Sequence, residues 1–173
     1  MPYEPFIVTA ELPPDVLAWA DGLRRSHYPP ERNHLAAHVT LFHSLAPPLL
    51  DELRRVLSRQ AGEYAPPRAR ISGLMSLGGG TAITIESPAM SAIREEIAEH
   101  FHGALTAQDV HPPRLHITVQ NKVTPAAAKA LQAELGPVLP LRDFAFPALG
   151  LHLYRGPHWE SAGRWPFRGK QGG

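Results

Sequence analysis

Two short segments of the chain repeat one pattern of residue types: a histidine, an apolar residue, a threonine and an apolar residue. They are His38-Val39-Thr40-Leu41 and His116-Ile117-Thr118-Val119. Near neutral pH an imidazole is present in both protonation states, so one histidine can remove a proton while the other donates one. A threonine hydroxyl can donate a hydrogen bond to a nonbridging phosphate oxygen. Together these groups suit cleavage of a phosphodiester, which needs a base for the incoming oxygen and an acid for the leaving oxygen.

The alternation of apolar and polar residues predicts that both segments are half-buried strands. Successive side chains of a strand point to opposite faces, so His38, Thr40 and Phe42 are predicted to share one face. His116, Thr118 and Gln120 share the corresponding face of the second segment by the same rule, while the branched residues between them face the core. Phe42 and Gln120 are therefore candidate substrate contacts, although ordinary packing or solvent exposure is the favoured interpretation for them.

Four further residues are candidate contacts on weaker grounds. Lys122 lies two residues beyond Gln120 and is taken to extend the second strand. In the last third of the chain, alternating leucines leave His152 and Tyr154 facing away from the core, where a ring could stack on a base. Arg155 could meet a phosphate if its strand ends at the cleft. Packing or solvent exposure is the favoured interpretation for these four residues as well.

Composition limits the class of protein. A chain of 173 residues, 43% apolar and 19% charged, suits one folded domain, taken here as residues 1–168 with a flexible tail at 169–173. With no cysteine there is no disulfide framework and no thiolate nucleophile. The net charge of +1 gives no broad footprint for duplex nucleic acid. No basic leader or membrane-spanning run is found near Met1 or elsewhere, so a cytoplasmic protein without membrane contact or an obligate protein partner is expected.

Short strands alternate with amphipathic helices along the chain. Predicted strands cover residues 6–10, 68–77, 81–86, 144–146, 149–154 and 159–167, besides the two histidine segments. Helices are predicted from Pro14 to about Arg25, from Leu50 to near Gly62, from Pro88 to about Leu105, and from Pro125 to Leu135 with Thr124 as N-cap. Because many strands are half-polar and two flank Gly78-Gly79-Gly80, an α+β fold with antiparallel sheets is favoured over a parallel one.

Other chemistries have weaker support in the sequence. Gly78-Gly79-Gly80 could cradle a phosphate, but no Lys-Ser/Thr follows it, so a hairpin turn is favoured. A metal site could use His34 with His38, or His100 with His102, yet no His-Glu-x-x-His is present, and no metal or other cofactor is predicted. Three short basic groups favour a solvated surface over an RNA-guiding rim; they are Arg24-Arg25, Arg54-Arg55 and Arg68-Ala69-Arg70.

The two His-x-Thr segments and the order of elements resemble the 2H phosphoesterase superfamily, and within it the bacterial 2'-5' RNA ligase-like and cyclic phosphodiesterase proteins. The resemblance implies a bilobal fold in which two antiparallel-rich sheets face a central groove, with helices outside. It also implies metal-free opening of 2',3'-cyclic or related nucleotide and RNA-terminal phosphates, with reversible 2'-5' ligation as a related activity. By this resemblance His38 and His116 would be the catalytic pair, and Thr40 and Thr118 would bind the phosphate.

A second class of function stays open at this point. The same cleft could bind a nucleotide or an RNA end without turning it over. Two intact histidines favour the enzyme, because a protein that only binds has no need for an acid and a base. Which histidine is the acid, and which nucleotide or RNA end is the partner, are not decided by the sequence.

Overall fold

The computed structural model describes residues 4–172, and the predictions that fall on residues 1–3 and 173 lie outside them. The chain forms eight strands and five α-helices within the described residues. The strands are β1 Phe6–Ala10, β2 Val39–Leu45, β3 Arg68–Ser76, β4 Thr81–Glu86, β5 His116–Gln120, β6 Asp143–Ala145, β7 Ala148–Arg155 and β8 His158–Pro166; the helices are α1 Pro14–His27, α2 Leu50–Glu63, α3 Pro88–His100, α4 Ala107–Val110 and α5 Pro125–Leu135.

The strands form two four-stranded antiparallel sheets. The first sheet has the order β2-β1-β7-β8 and is built from both ends of the described chain, whereas the second has the order β5-β4-β3-β6 and is built from its middle. All strand pairs are antiparallel. The predicted α+β class with antiparallel sheets is therefore confirmed.

Local signals account for the starts of the helices. The side chain of Thr124 accepts a hydrogen bond from the backbone N–H of Ala127, and Pro125 occupies the first position of α5, as predicted. Ser87 caps α3 in the same way. Helix α3 ends at His100 rather than near Leu105, because the chain turns at Gly103 with a φ of 86°, a conformation that glycine adopts without strain.

Most of the buried apolar residues form one continuous hydrophobic cluster that draws on both sheets and on helices α1, α2 and α3. Helix α1 packs against β5, so the first helix of the chain lies on the strand that carries the second histidine. The apolar members of both repeated segments belong to this cluster, as their alternation predicts. Packing therefore fixes the two polar faces relative to each other.

The end of the chain is attached to the body of the protein. The backbone N–H groups of Gly169, Lys170 and Gln171 donate to the carbonyls of Tyr64 and Glu63. The carbonyl of Gln171 in turn accepts from the N–H of Ala65 at 3.0 Å. The prediction of a flexible tail from residue 169 does not account for these bonds, which tie residues 169–171 to the end of α2.

Candidate active site

The two repeated segments lie on neighbouring edges of the two sheets. β2 is an edge strand of the first sheet, β5 is an edge strand of the second, and the two strands are in contact. His38 immediately precedes β2, and His116 is the first residue of β5. Both histidines and both threonines are half-buried, while the apolar residues between them are buried. Each strand thus brings one motif histidine and one motif threonine to the region where the two sheets adjoin.

The two imidazoles are held in the same way. The Nδ1 of His38 lies 2.8 Å from the carbonyl oxygen of Ala36, and the Nδ1 of His116 lies 2.6 Å from that of Arg114. In each case the acceptor belongs to the residue two positions earlier. Because a carbonyl only accepts, Nδ1 carries the hydrogen, and Nε2 of a neutral ring keeps its lone pair. Each ring therefore offers Nε2 for proton transfer.

The environment of His38 favours its neutral form. Burial lowers the pKa of His38 to about 4, against the opposing effect of the hydrogen bond to Ala36. The positive charge of Arg24, and the protonated forms of His152 and His116, lower it further. The effect of His116 places the two motif imidazoles within electrostatic range of each other.

This pKa shift predicts a pH-dependent stability. The folded-state pKa of His38 lies near 4 and the ordinary value is 6.5. Between these values the unfolded chain binds a proton at His38 that the folded protein does not, so stability falls as the pH drops through this window. From pH 7.5 to 5.0 the wild type should lose about 1 to 2 kcal/mol more than His38→Asn, measured by urea denaturation. The exposed His102→Asn serves as control, and equal slopes for wild type and His38→Asn would contradict the shift.

Two buried arginines cross between the halves of the molecule. Arg24 of α1 donates from Nη1 to the carbonyl of Thr118 in β5 at 2.7 Å, and its Nε donates to the side-chain oxygen of Asn33. Arg94 of α3 donates from Nε to the carbonyl of Leu41 in β2 at 3.2 Å. Arg24 thus comes from a helix before the first histidine segment and binds the strand of the second segment. Arg94 comes from a helix before the second segment and binds the strand of the first. These two bonds fix the relative position of the segments.

Asp109 of the short helix α4 holds the next part of β2. Its buried carboxylate accepts hydrogen bonds from the backbone N–H groups of His43 and Ser44, and from the ring of His43 at 3.2 Å. Burial raises the pKa of Asp109, but the bonds from His43 and Ser44 outweigh it, and the pKa lies below its ordinary value. The carbonyl of Asp109 also accepts from Arg94, so α3 and α4 together hold β2.

A cavity of about 250 Å³ opens beside His38. Its walls come from β1, β7, β8 and the loop before β2. The side chains that characterise it are Glu11, His34, His38, His152, His158 and Trp159. The ring of Trp159 lies 4.7 Å from that of His38 and 5.5 Å from that of His152, between ring centroids. The cavity is therefore lined largely by aromatic rings and leads to one of the two motif histidines.

The prediction that Phe42 shares a face with His38 and Thr40 is wrong. Thr9 pairs with Thr40 but Val8 pairs with Phe42, so β2 has one extra residue, Leu41, at this point. This bulge turns Leu41 and Phe42 both into the core, and Phe42 is 0% exposed beneath the guanidinium of Arg94. A fully buried ring is not available to a ligand.

The corresponding prediction for Gln120 is also wrong. The pairing shifts between Ala82↔Thr118 and Thr81↔Gln120, which leaves Val119 as an extra residue in β5. Gln120 is 4% exposed and its side-chain oxygen accepts from the hydroxyl of Thr81 at 2.9 Å. It is a buried structural residue rather than a member of the cleft face.

Lys122 is not part of the second strand. β5 ends at Gln120, and the chain turns at Lys122 with a φ of 61° before α5 begins. Its exposed side chain therefore does not continue the face of His116 and Thr118.

Of the three candidate substrate contacts on β7, one lies at the cavity and two lie away from it. His152 lies on the cavity wall, with Nε2 3.0 Å from the hydroxyl of Thr9. Tyr154 is exposed and is not among the residues that line the cavity. The guanidinium of Arg155 pairs with Glu4 at 3.3 Å and Glu160 at 3.0 Å, so it is engaged away from the cleft.

Sequence reasoning missed several residues of the site. Trp159 and His158 begin the strand that follows Gly156, and the residue pattern there predicts a strand without indicating that these rings line a cavity. The prediction of a solvated basic pair is wrong for Arg24, which is buried, while Arg25 beside it is exposed. An arginine at an apolar position of a helix is the one signal that the sequence offers for Arg24.

By sequence, two pairs of histidines could serve as metal ligands: His34 with His38, and His100 with His102. Within residues 4–172, no group of three or more His, Cys, Asp or Glu side chains is arranged to hold a metal ion. His100 pairs instead with Glu52 at 2.7 Å, and His34 packs edge-on against the ring of His158.

Among the helices of residues 4–172, none is long and apolar enough to cross a membrane.

Solved structures of similar architecture define the class of fold. TT0787 of Thermus thermophilus superposes with a TM-score of 0.67 at 17% identity, covering 96% of this chain and 100% of that chain. LigT of E. coli, in complex with NADP+, gives 0.64 at 15% identity over 96% and 99%. Usb1 of Kluyveromyces marxianus gives 0.52 at 13% identity over 94% and 97%. The chain thus has a LigT-like fold.

The family follows from the sequence match. The family described as the 2'-5' RNA ligase superfamily matches residues 12–157, which include both His-x-Thr segments. The chain belongs to this superfamily, as the resemblance of the two segments predicts. Among curated protein sequences, none matches the chain.

Proposed function

We propose that the protein is a phosphodiesterase that opens 2',3'-cyclic phosphates of nucleotides or RNA ends without a metal ion. The observation that carries the proposal is the equivalent presentation of two imidazoles at the junction of the sheets, each fixed through Nδ1 and each offering Nε2. The superfamily adds support, as does the crystal structure of LigT with 3'-AMP, a nucleotide phosphomonoester.

The reaction assigns one proton transfer to each histidine. His38, with a pKa near 4, is neutral at pH 7 and is assigned as the base that takes a proton from the attacking water. The water oxygen bonds to phosphorus while the bond from phosphorus to one ribose oxygen breaks. His116, on the opposite strand, donates the proton that this leaving oxygen needs. The product is a phosphomonoester with a free ribose hydroxyl, and solvent exchange restores both rings.

Thr40 and Thr118 are assigned to the phosphate itself. Each threonine is two residues beyond its histidine on the same polar face, and each is half-buried. Hydroxyl donors at these positions would bind the nonbridging oxygens and hold the phosphate in line between the two rings. If a 5'-hydroxyl replaced water as the nucleophile, the same groups would join two RNA ends through a 2'-5' linkage. Ligation is thus the same ring opening with a 5'-hydroxyl in place of water, and its reverse would regenerate the cyclic phosphate and the free 5'-hydroxyl from a 2'-5' linkage.

The test is turnover of the four 2',3'-cyclic nucleotides, and of an RNA oligomer with a cyclic phosphate end, in excess EDTA. We expect conversion to a phosphomonoester at an unchanged rate when EDTA is present. Loss of activity on chelation would contradict metal-independent catalysis. Binding of 3'-AMP without turnover of any cyclic ester would instead favour a protein that binds nucleotides or RNA ends through the same cleft.

A further inference from the structure

The cavity beside His38 has a charged end that the proposed reaction does not use. Glu11, just after β1, lines the cavity together with Thr9 and His152. Thr9 and His152 bond each other at 3.0 Å, whereas Glu11 makes no ion pair with an arginine, lysine or histidine of residues 4–172. Burial lowers the pKa of His152, and the charge of Glu11 opposes this effect, so the carboxylate lies near that ring.

A glycine makes room for this carboxylate. A Cβ built on Gly150 of β7 would lie 2.6 Å from the Oε1 of Glu11 and 2.7 Å from the hydroxyl oxygen of Thr9. Any larger residue at this position would therefore displace Glu11 from where it stands. The backbone of Gly150 is paired on both sides, with Thr9 of β1 and Arg164 of β8, so the strand cannot move away easily. The glycine thus leaves the space that a carboxylate occupies at one end of an aromatic cavity.

The rings of the cavity suit a flat heterocycle. The ring of Trp159 is tilted against those of His38 and His152, with centroid distances of 4.7 and 5.5 Å respectively. The rings of His34 and His158 form an edge-on pair whose centroids are 4.9 Å apart. Stacking of a nucleobase on such a ring contributes about 1 to 3 kcal/mol and does not depend on which base is present. Selection among bases must come from the polar groups, of which the carboxylate is the charged one.

We propose that this cavity is the base-recognition site and that the carboxylate of Glu11 selects guanine. This inference rests on the proposed function. An ionised carboxylate only accepts hydrogen bonds, through two oxygens side by side. Guanine presents two adjacent donors on its Watson–Crick edge, the ring N1–H and the 2-amino group, which match the two oxygens.

The other bases lack this pair of donors. Adenine and cytosine place a single amino group next to a ring nitrogen that accepts hydrogen bonds. The lone pair of this nitrogen would face one carboxylate oxygen, which is unfavourable because both atoms are acceptors. Uracil places one N–H between two carbonyl oxygens. A bidentate contact to a charged group is stronger than a single neutral bond and discriminates between bases by about 10- to 100-fold. The expected substrates are therefore guanosine 2',3'-cyclic phosphate and RNA ends that terminate in guanosine.

The experiment measures binding and turnover separately. Binding of 3'-GMP, 3'-AMP, 3'-CMP and 3'-UMP is measured by calorimetry, and kcat/KM is measured for the four 2',3'-cyclic nucleotides. The variants are Glu11→Gln, which replaces one oxygen by an amide donor of the same size, and Glu134→Gln, an exposed control on α5. Thermal unfolding of each variant shows that the fold is retained.

We expect the wild type to bind 3'-GMP at least tenfold more tightly than the other three nucleotides. Glu11→Gln should lose this preference, with the affinities for the other three changing less than about threefold, and Glu134→Gln should keep it. Equal affinities in the wild type, a guanine preference that survives in Glu11→Gln, or no binding of any nucleotide would each overturn the proposal.

The two proposals fail in different ways. If 3'-GMP binds selectively through Glu11 but no cyclic ester is turned over, the phosphodiesterase proposal fails and the guanine site stands. If all four cyclic nucleotides are opened with similar kcat/KM and similar binding, the guanine site fails and the phosphodiesterase stands.

Discussion

Replacement of His38 or His116 by asparagine is expected to lower kcat for 2',3'-cyclic nucleotides by about a hundredfold to ten-thousandfold. Asparagine suits this test because its amide N–H can take the position of the imidazole Nδ1–H and keep the bond to the carbonyl two residues earlier. Only the proton transfer at Nε2 is then removed. KM should change much less than kcat, because Thr40 and Thr118, which we propose bind the phosphate, are unchanged in both variants.

The double variant separates a concerted pair from two independent groups. If the two histidines act on one phosphate, His38→Asn with His116→Asn should be little worse than the poorer single variant, since groups that act as a unit are not additive. His102→Asn, an exposed histidine beyond the end of α3, is the matched control and should retain the wild-type rate. Wild-type rates in both single variants would exclude the two-histidine mechanism.

Replacement of Arg94 by methionine is expected to cost about 3 kcal/mol or more of folding stability. The guanidinium is 1% exposed, lies 4.2 Å over the ring of Phe42, and donates to the carbonyls of Leu41 and Asp109. Methionine fills a similar volume but leaves both buried carbonyls without a donor, and each such group costs about 1 to 3 kcal/mol. Urea denaturation measures the difference.

The control for Arg94 is Arg54→Met on the exposed face of α2, which should change stability by less than about 0.5 kcal/mol. If Arg94→Met does not fold, Arg94→Lys is measured in its place. Lysine keeps the charge but not the planar fork of donors, so an intermediate loss is expected. A loss below about 0.5 kcal/mol for either substitution would show that Arg94 does not hold β2.

Local sequence patterns predicted much of the fold. The alternation from His38 to Leu41 and from Leu115 to Val119 correctly predicted which side chains are buried, because strand geometry is set by neighbouring residues. Thr124 and Pro125 defined the start of α5 for the same reason. The antiparallel α+β class followed from the half-polar strands and from the hairpin at Gly78-Gly79-Gly80.

The errors arose where partners distant in sequence decide the structure. Nothing in the residues around Phe42 signals the bulge, which depends on pairing with β1 and on Arg94, more than fifty positions away. Gln120 turns inward because Thr81 offers it a buried donor. The cavity wall at Trp159 exists only because β8 joins β7 in the first sheet. Such contacts have no local sequence pattern.

The two histidine segments lie on neighbouring sheet edges that touch without joining in one sheet. Adjacent edge strands with open N–H and carbonyl groups tend to pair, and β2 with β5 would then merge the two sheets into one of eight strands. Arg24 and Arg94 occupy a carbonyl on β5 and β2 respectively. Each occupied carbonyl is lost to ladder pairing, so the two arginines favour two separate sheets, each with its own histidine segment at the edge, over one continuous sheet.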